Sequence, residues 1–247
     1  MRLGIDISNY QAEFSREGAQ TARLNDASFV IIGRQRNNRI YEAAQAGAAL
    51  DAGMRIVGEY WISLGGAWPT PLPESKFIAI DVEPGSEFYT EADIDNALAQ
   101  VATTGLIPVI YSSKWAWDAL GLTGVTKYGE QGIALWSANY DGRADGFVLP
   151  RPFGGWTECA IDQFTDKGSF GLSYPVDANA ISDEFWARCY PDEPQVLALN
   201  TNIVNGEWDI GATRIPLLGI IETAAREFRR NAGAKADALA AVERGFE

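Results

Sequence analysis

The amino-acid sequence predicts an α/β fold: an irregular, TIM-like β/α barrel of eight strands and about five helices, with a C-terminal helical extension. Three observations carry this. Short apolar runs rich in β-branched residues alternate with helix-like segments through the first two-thirds of the chain, the pattern of right-handed βαβ units around a parallel sheet. About eight such runs occur, enough to close a small barrel. Their C-terminal ends repeatedly carry polar and aromatic residues, and in barrels of this kind the site lies at those ends.

The first strand is Arg2 to Ile7, with Asp6 near its end; a polar turn, Ser8-Asn9-Tyr10-Gln11, leads to a short helix within Glu13 to Arg23. Ser28 to Gly33 (SFVIIG) reads as a buried strand. The Ala-rich stretch from about Asn38 to Ala52 is a helix closed by Gly53. Arg55 to Ile62 is the third strand and carries Glu59, Tyr60 and Trp61 towards its end. After the Gly- and Pro-rich loop of Gly65 to Glu74 comes the fourth strand, in KFIAIDVEP, Lys76 to Pro84. Its apolar run is too brief for a helix, and Pro73 and Pro84 bound it.

Thr90 to Thr104 is the best-marked helix: Thr90 can cap it, Glu91 and Asp93 sit in its first turn, and Gly105 ends it. Ile107 to Tyr111 is the fifth strand, followed by Ser112-Ser113 and a helix through Leu120. Gly132 to Trp136, Glu158 to Phe164 and a segment around Tyr174 to Ala178 are the sixth to eighth strands, before a helix from Ser182 to Cys189. Helices thin out after the fifth strand, which is why the barrel is expected to be irregular.

Composition excludes several classes. The net charge of −13 provides neither the clustered cations that bind phosphate backbones nor a polybasic membrane patch, so no nucleic acid is expected as a partner. No apolar stretch is long enough to span a bilayer, and MRLGIDISNY has no signal-peptide h-region, so no membrane insertion is expected. The chain has no histidine, which removes the commonest general base, Ser-His-Asp arrangements and most zinc sites. Cys159 and Cys189 have no metal-ligand spacing and are expected as buried free thiols. Acid–base chemistry must then fall to carboxylates, Tyr, Lys or Cys, with no metal and no cofactor. Eight Trp and nine Tyr supply flat faces of the kind that line sugar-binding clefts.

Alternation along a strand places Asp81 and Glu83 on the same side, roughly 7 Å apart along the backbone. Two carboxylates ending an apolar strand each raise the other's proton affinity, and this is how an acid stays protonated near neutral pH. The remaining segments make the pair specific. GIDISNYQ, FVIIGRQ, AIDVE, PVIYSSKWAW, LWSANYDG and DQFTDKGSFGLSYPVDAN occur in the order seen in glycoside hydrolase family 25. The chain resembles these muramidase-type lysozymes over roughly residues 1–192.

The resemblance implies an incomplete β/α barrel that cleaves the β-1,4 bond between N-acetylmuramic acid and N-acetylglucosamine, with peptidoglycan glycan strands as partner. It implies Glu83 as general acid. Asp81 would stabilise developing positive charge or orient the substrate's N-acetyl group as internal nucleophile. Asp6 and Asp177 match two further acidic positions, Tyr111 and Trp136 match aromatic rim positions, and the strand-end residues Tyr60 and Gln163 join them as expected substrate-binding groups. Two departures flank the groove: RQRNNRIYEAA after strand two is short and basic, and strand three ends in EYWIS rather than a Tyr-His-Phe-like run.

Residues 193–247 fall outside the resemblance. Gln195 to Ile215 contains strand-like pieces, VLALN and GEWDIG, suggesting a hairpin. Apolar residues from Leu218 to Phe246 then follow the three-and-four spacing of an amphipathic helix, over about 217–246. Two roles stay open for it: packing on the barrel, or self-association into a homo-oligomer through a short coiled coil. Without a signal peptide, a lysozyme of this family looks like a phage endolysin made in the host cytoplasm, or a virion-borne enzyme. A barrel that binds glycan without cutting it, and a structural part of a phage particle, are the competing readings.

Overall fold

The computed structural model describes residues 1–35, 39–62, 64 and 68–192, together with the backbone of 203–204, 207–210 and 213–216. Contacts divide the chain into two units, Met1–Asp192 and Glu193–Glu247.

The first unit is a closed eight-stranded barrel. Its strands in chain order are β1 (Arg2–Ile7), β2 (Phe29–Arg34), β3 (Arg55–Trp61), β4 (Phe77–Asp81), β5 (Ile107–Ser112) and β6 (Ala134–Ala138), then β9 (Ile161–Gly168) and β10 (Val176–Ile181). Between them a hairpin of β7 (Val148–Phe153) and β8 (Trp156–Glu158) stands outside the barrel. Helices α1 (Arg16–Leu24), α2 (Glu42–Asp51), α3 (Glu91–Thr104), α4 (Lys114–Ala119), α5 (Lys127–Glu130) and α6 (Asp183–Cys189) complete the unit. Four begin on side-chain caps, at Ser15, Thr90, Ser113 and Ser182. At Thr90 the cap is reciprocal with Asp93, and Gly105 ends that helix in the left-handed conformation, φ 75°.

Seven strands run parallel, whereas β10 is antiparallel to both β1 and β9. The reversal follows from chain length. Only residues 169–175 join β9 to β10, and a parallel return needs a crossover of a dozen residues or more. A second difference concerns the seventh strand, expected over Glu158 to Phe164. The barrel strand begins at Ile161, and Trp156–Glu158 belongs to the hairpin instead. Gly154 and Gly155 turn that hairpin with φ of 61° and 85°, values a two-residue turn requires and most side chains avoid.

Inside the barrel, Phe29, Ile31, Phe77, Ala79, Val109 and Ile161 form one core with Phe185 and Trp186 of α6. The Phe77 and Phe185 rings lie 5.6 Å apart, and those of Phe29 and Trp186 6.2 Å apart. Burying each such ring contributes about 2–3 kcal/mol. Phe29 and Phe77 start their strands, so α6 plugs the N-terminal mouth and leaves the opposite end open. A Cβ on Gly58 would stand 2.4 Å from the Phe77 ring, so only glycine admits that ring. Two further cores pack α1 and α2 on one side of the barrel and α3, α4 and the hairpin on the other. Cys159 and Cys189 are buried free thiols.

In the second unit, β11 (Ile203–Val204), β12 (Glu207–Ile210) and β13 (Thr213–Pro216) form a three-stranded antiparallel sheet, with β12 in the expected GEWDIG piece. The expected strand VLALN and the amphipathic helix over about 217–246 lie outside the described residues. Among the described residues no helix is long and apolar enough to cross a membrane.

Candidate active site

Strand alternation aims the site residues. On β4, Phe77 and Ala79 face the interior core while Ile78, Ile80 and Val82 face the outer one. Asp81 therefore points inward, and Glu83, just past the end of the strand, lines the same cavity. Asp6 ends β1, Tyr60 lies near the end of β3, and Tyr111 lies near the end of β5. Asp177 begins β10, but β10 is reversed, so its start lies at the same rim as the other strands' ends. The structure brings Asp6, Asp81, Glu83 and Asp177 to one cavity of about 200 Å³, walled also by Tyr60, Tyr111 and Trp136.

Asp6 and Asp177 are directly opposed across the antiparallel β1–β10 ladder. Opposed residues put their Cβ atoms about 5 Å apart on one face, so two ionised carboxylates there would repel. The proximity acts unequally on the two, lowering Asp6 and raising Asp177. Burial dominates both, pushing Asp6 up to about 6 and Asp177 to about 8. Asp6 stays the more acidic because two amides serve it. Gln163 Nε2 and Asn179 Nδ2 donate to its Oδ2 at 2.8 and 2.7 Å.

Asp81 is raised well above the ordinary aspartate range by burial, then by the nearby charges of Glu83 and Asp6. Its Oδ1 is buried with no hydrogen-bond partner among the described residues. Glu83, half-buried and open to the cavity, is raised by burial and by Asp6. Among the described residues none of the four carboxyls forms an ion pair. No set of three His, Cys, Asp or Glu side chains among the described residues is arranged to hold a metal ion.

Under the carboxyls lies a hydrogen-bonded floor. Trp136 Nε1 donates to Asn179 Oδ1 at 2.8 Å, and the Tyr111 hydroxyl donates to Gln163 Oε1 at 2.8 Å. The Trp136 ring meets Tyr111 and Tyr60 edge to face, at 4.8 and 5.7 Å. This placement alters two sequence expectations. Gln163 is 2% exposed and lies off the cavity wall, its amide committed to Asp6 and Tyr111. Trp136, expected at the rim, is 1% exposed and forms part of the floor. The cause is shared: both side chains point into a closed barrel, where neighbouring strands cover them.

Asn179 and Tyr140 were not singled out from the sequence. Asn179 had a signal, since it lies two residues after Asp177 on one strand and must share its face. Tyr140 lies inside the LWSANYDG segment: it sits in the loop after β6 at φ 48°, and lines both the carboxyl cavity and a neighbouring one.

No family model matches the chain. Lysozyme-like protein 5 of Caenorhabditis elegans is 29% identical over 106 residues, 41% of this chain and 48% of that protein, so the match spans about half the relative's length. Among solved structures, the muramidase of Trichobolus zukalii superposes with a TM-score of 0.59 at 20% identity, over 76% of this chain and 99% of that one. The spore cortex lytic enzyme SleM of Clostridium perfringens gives a TM-score of 0.51 at 18% identity, over 73% and 67%. These likenesses show a common barrel fold.

Proposed function

We propose that this chain is a muramidase of the family 25 type, hydrolysing the β-1,4 bond that follows N-acetylmuramic acid in peptidoglycan. The observation that carries the reading is the set of four carboxyls in one cleft, without an ion-pair partner among the described residues and held in unequal environments. Such a set is what glycoside hydrolysis requires. The muramidase and lytic-enzyme names of the proteins that share the fold, and the lysozyme-like name of the curated relative, point the same way.

Glu83 is the general acid in this reading. It is open to the cavity and burial raises its proton affinity, as a group that protonates the leaving oxygen requires. Asp81 lies deeper and lacks a donor at Oδ1. An N-acetyl N–H of the substrate supplies one there, favouring ionised Asp81 just where positive charge develops. The same contact orients the N-acetyl oxygen for internal attack. Asp6 and Asp177, opposed at the rim and of unequal acidity, set the field of the cleft. An endolysin or virion-borne role rests on the sequence resemblance alone.

Mass spectrometry of fragments from purified peptidoglycan tests the bond: reducing ends at muramic acid are expected. Fragments with another reducing end, or none, overturn it. Binding without release, equal in wild type and Glu83→Gln, would favour a non-catalytic glycan-binding barrel.

A further inference from the structure

We propose that the cleft continues past Glu83 into a cationic, aromatic subsite built by Lys114, Trp115 and Arg151, which holds a carboxylate of the glycan strand on its leaving-group side. The proposal rests on the muramidase reading and names what that reading leaves open.

Continuity comes first. A cavity of about 350 Å³ shares Glu83, Tyr111 and Tyr140 with the carboxyl cavity, so the two meet at the general acid. It also shares Lys114, Trp115 and Arg151 with a further cavity of about 440 Å³, closed by Asp118 and Ala119. The three form one groove. Local structure explains the supply of groups: α4 starts directly after β5 and puts Lys114 and Trp115 in its first turn, while β7 of the hairpin brings Arg151.

Direction follows from the chemistry. The general acid stands at the glycosidic oxygen, between the ring that becomes positively charged and the leaving group. Asp6, Asp81 and Asp177 all lie in the first cavity, so the charged ring sits there. The groove beyond Glu83 therefore takes the leaving strand. In an alternating strand its first ring is N-acetylglucosamine and its second is muramic acid, whose lactyl group carries a carboxyl, free or extended by a peptide that ends in carboxylates.

Charge then selects the ligand. The chain carries −13 overall, yet this end of the groove gathers two cations. Lys114 pairs with Asp118, which also accepts from Thr123 Oγ1 at 2.9 Å. Arg151 is exposed and forms no ion pair among the described residues, although its charge acts on Asp118. One carboxylate against two cations leaves a guanidinium with open donors, the side chain best suited to a carboxylate. Trp115, 71% exposed, offers a face on which the intervening sugar ring can stack.

The test compares three substrates: strands with stem peptides, strands stripped of peptide so that the lactyl carboxylate is free, and strands whose carboxyls are amidated. Wild type is expected to favour carboxylate-bearing over amidated strands by about tenfold in kcat/KM, the size of one charge-assisted hydrogen bond, expressed in KM. Arg151→Gln should erase that preference and Arg151→Lys restore part of it. A loss on stripped strands identifies the lactyl carboxylate, and a loss confined to peptide-bearing strands identifies the peptide. An unchanged preference in Arg151→Gln, or none in wild type, overturns the subsite. Co-sedimentation with the same three substrates reads the preference without turnover. A wild type that cuts nothing thus sinks the muramidase reading, and the subsite is still decided by binding.

Discussion

Two buried acidic clusters lie at the C-terminal end of this barrel, and they are built oppositely. In the cleft, Asp6, Asp81, Glu83 and Asp177 face a cavity that no cation among the described residues lines. Outside the barrel wall, Arg34 of β2 stands between Glu42 of α2 and Glu59 of β3. Arg34 Nε donates to Glu42 Oε2 at 2.7 Å, its Nη1 donates to Glu59 Oε2, and its Nη2 donates to the Thr70 carbonyl at 3.2 Å. Burial raises carboxyls in both places, Glu59 up to about 7 and Asp177 to about 8. Burial alone therefore does not separate a reactive carboxyl from a structural one. The difference lies in what faces it: a fixed guanidinium in the wall, an open cavity in the cleft.

The sharpest way to break this comparison is to remove the wall's cation. Arg34→Leu leaves Glu59, 0% exposed, without its counterion, and breaking a buried pair costs about 3–5 kcal/mol. Denaturant unfolding should show that loss. A change under about 1 kcal/mol would mean that the guanidinium does not hold the wall. The cleft should answer in the other currency, activity. Glu83→Gln is expected to lower turnover at least about a hundredfold while leaving unfolding free energy unchanged or higher, since it removes no ion pair. In wild type the alkaline limb of the pH–rate profile should report a group above the ordinary glutamate pKa, because the acid works only while protonated. Near-full activity in Glu83→Gln would move the acid elsewhere.

The two regions also differ in a pH dependence of stability. Asp177 is raised in the folded state, so the folded protein binds the extra proton, and stability falls as pH rises from the ordinary aspartate pKa towards about 8. Asp6 adds a fall that ends near pH 6. Wild-type melting temperature should therefore drop between about pH 4 and pH 8, and Asp177→Asn should flatten the upper part of that drop. Parallel profiles for the two proteins would contradict the raised proton affinity of Asp177.

Much of the cleft was legible because it is local. A period of two sets the face of Asp81, and Glu83 reaches the same cavity from just past the strand's end. Thr90, Ser113 and Ser182 announce their helices because a cap needs only the next three residues. The strand ends of the seventh and eighth runs were harder. There the Gly154-Gly155 turn diverts Trp156–Glu158 into a hairpin, and the choice between hairpin and barrel depends on partners distant in sequence.

By itself, then, the sequence determined the alternating apolar runs, the absence of histidine and of a strong cationic field, and the carboxyl pair on the fourth strand. Each is a matter of composition or short-range periodicity. Tertiary structure alone decided that Asp6 should oppose Asp177, because that meeting needs the barrel to close through a reversed last strand. It alone decided that Gln163 and Asn179 should serve Asp6, and that Trp136 should lie under the cleft instead of on its rim. The physical reason is the same throughout. A side chain's face is set by its own strand, but its partner, and with it the proton it keeps, is set by which distant strand closes against it.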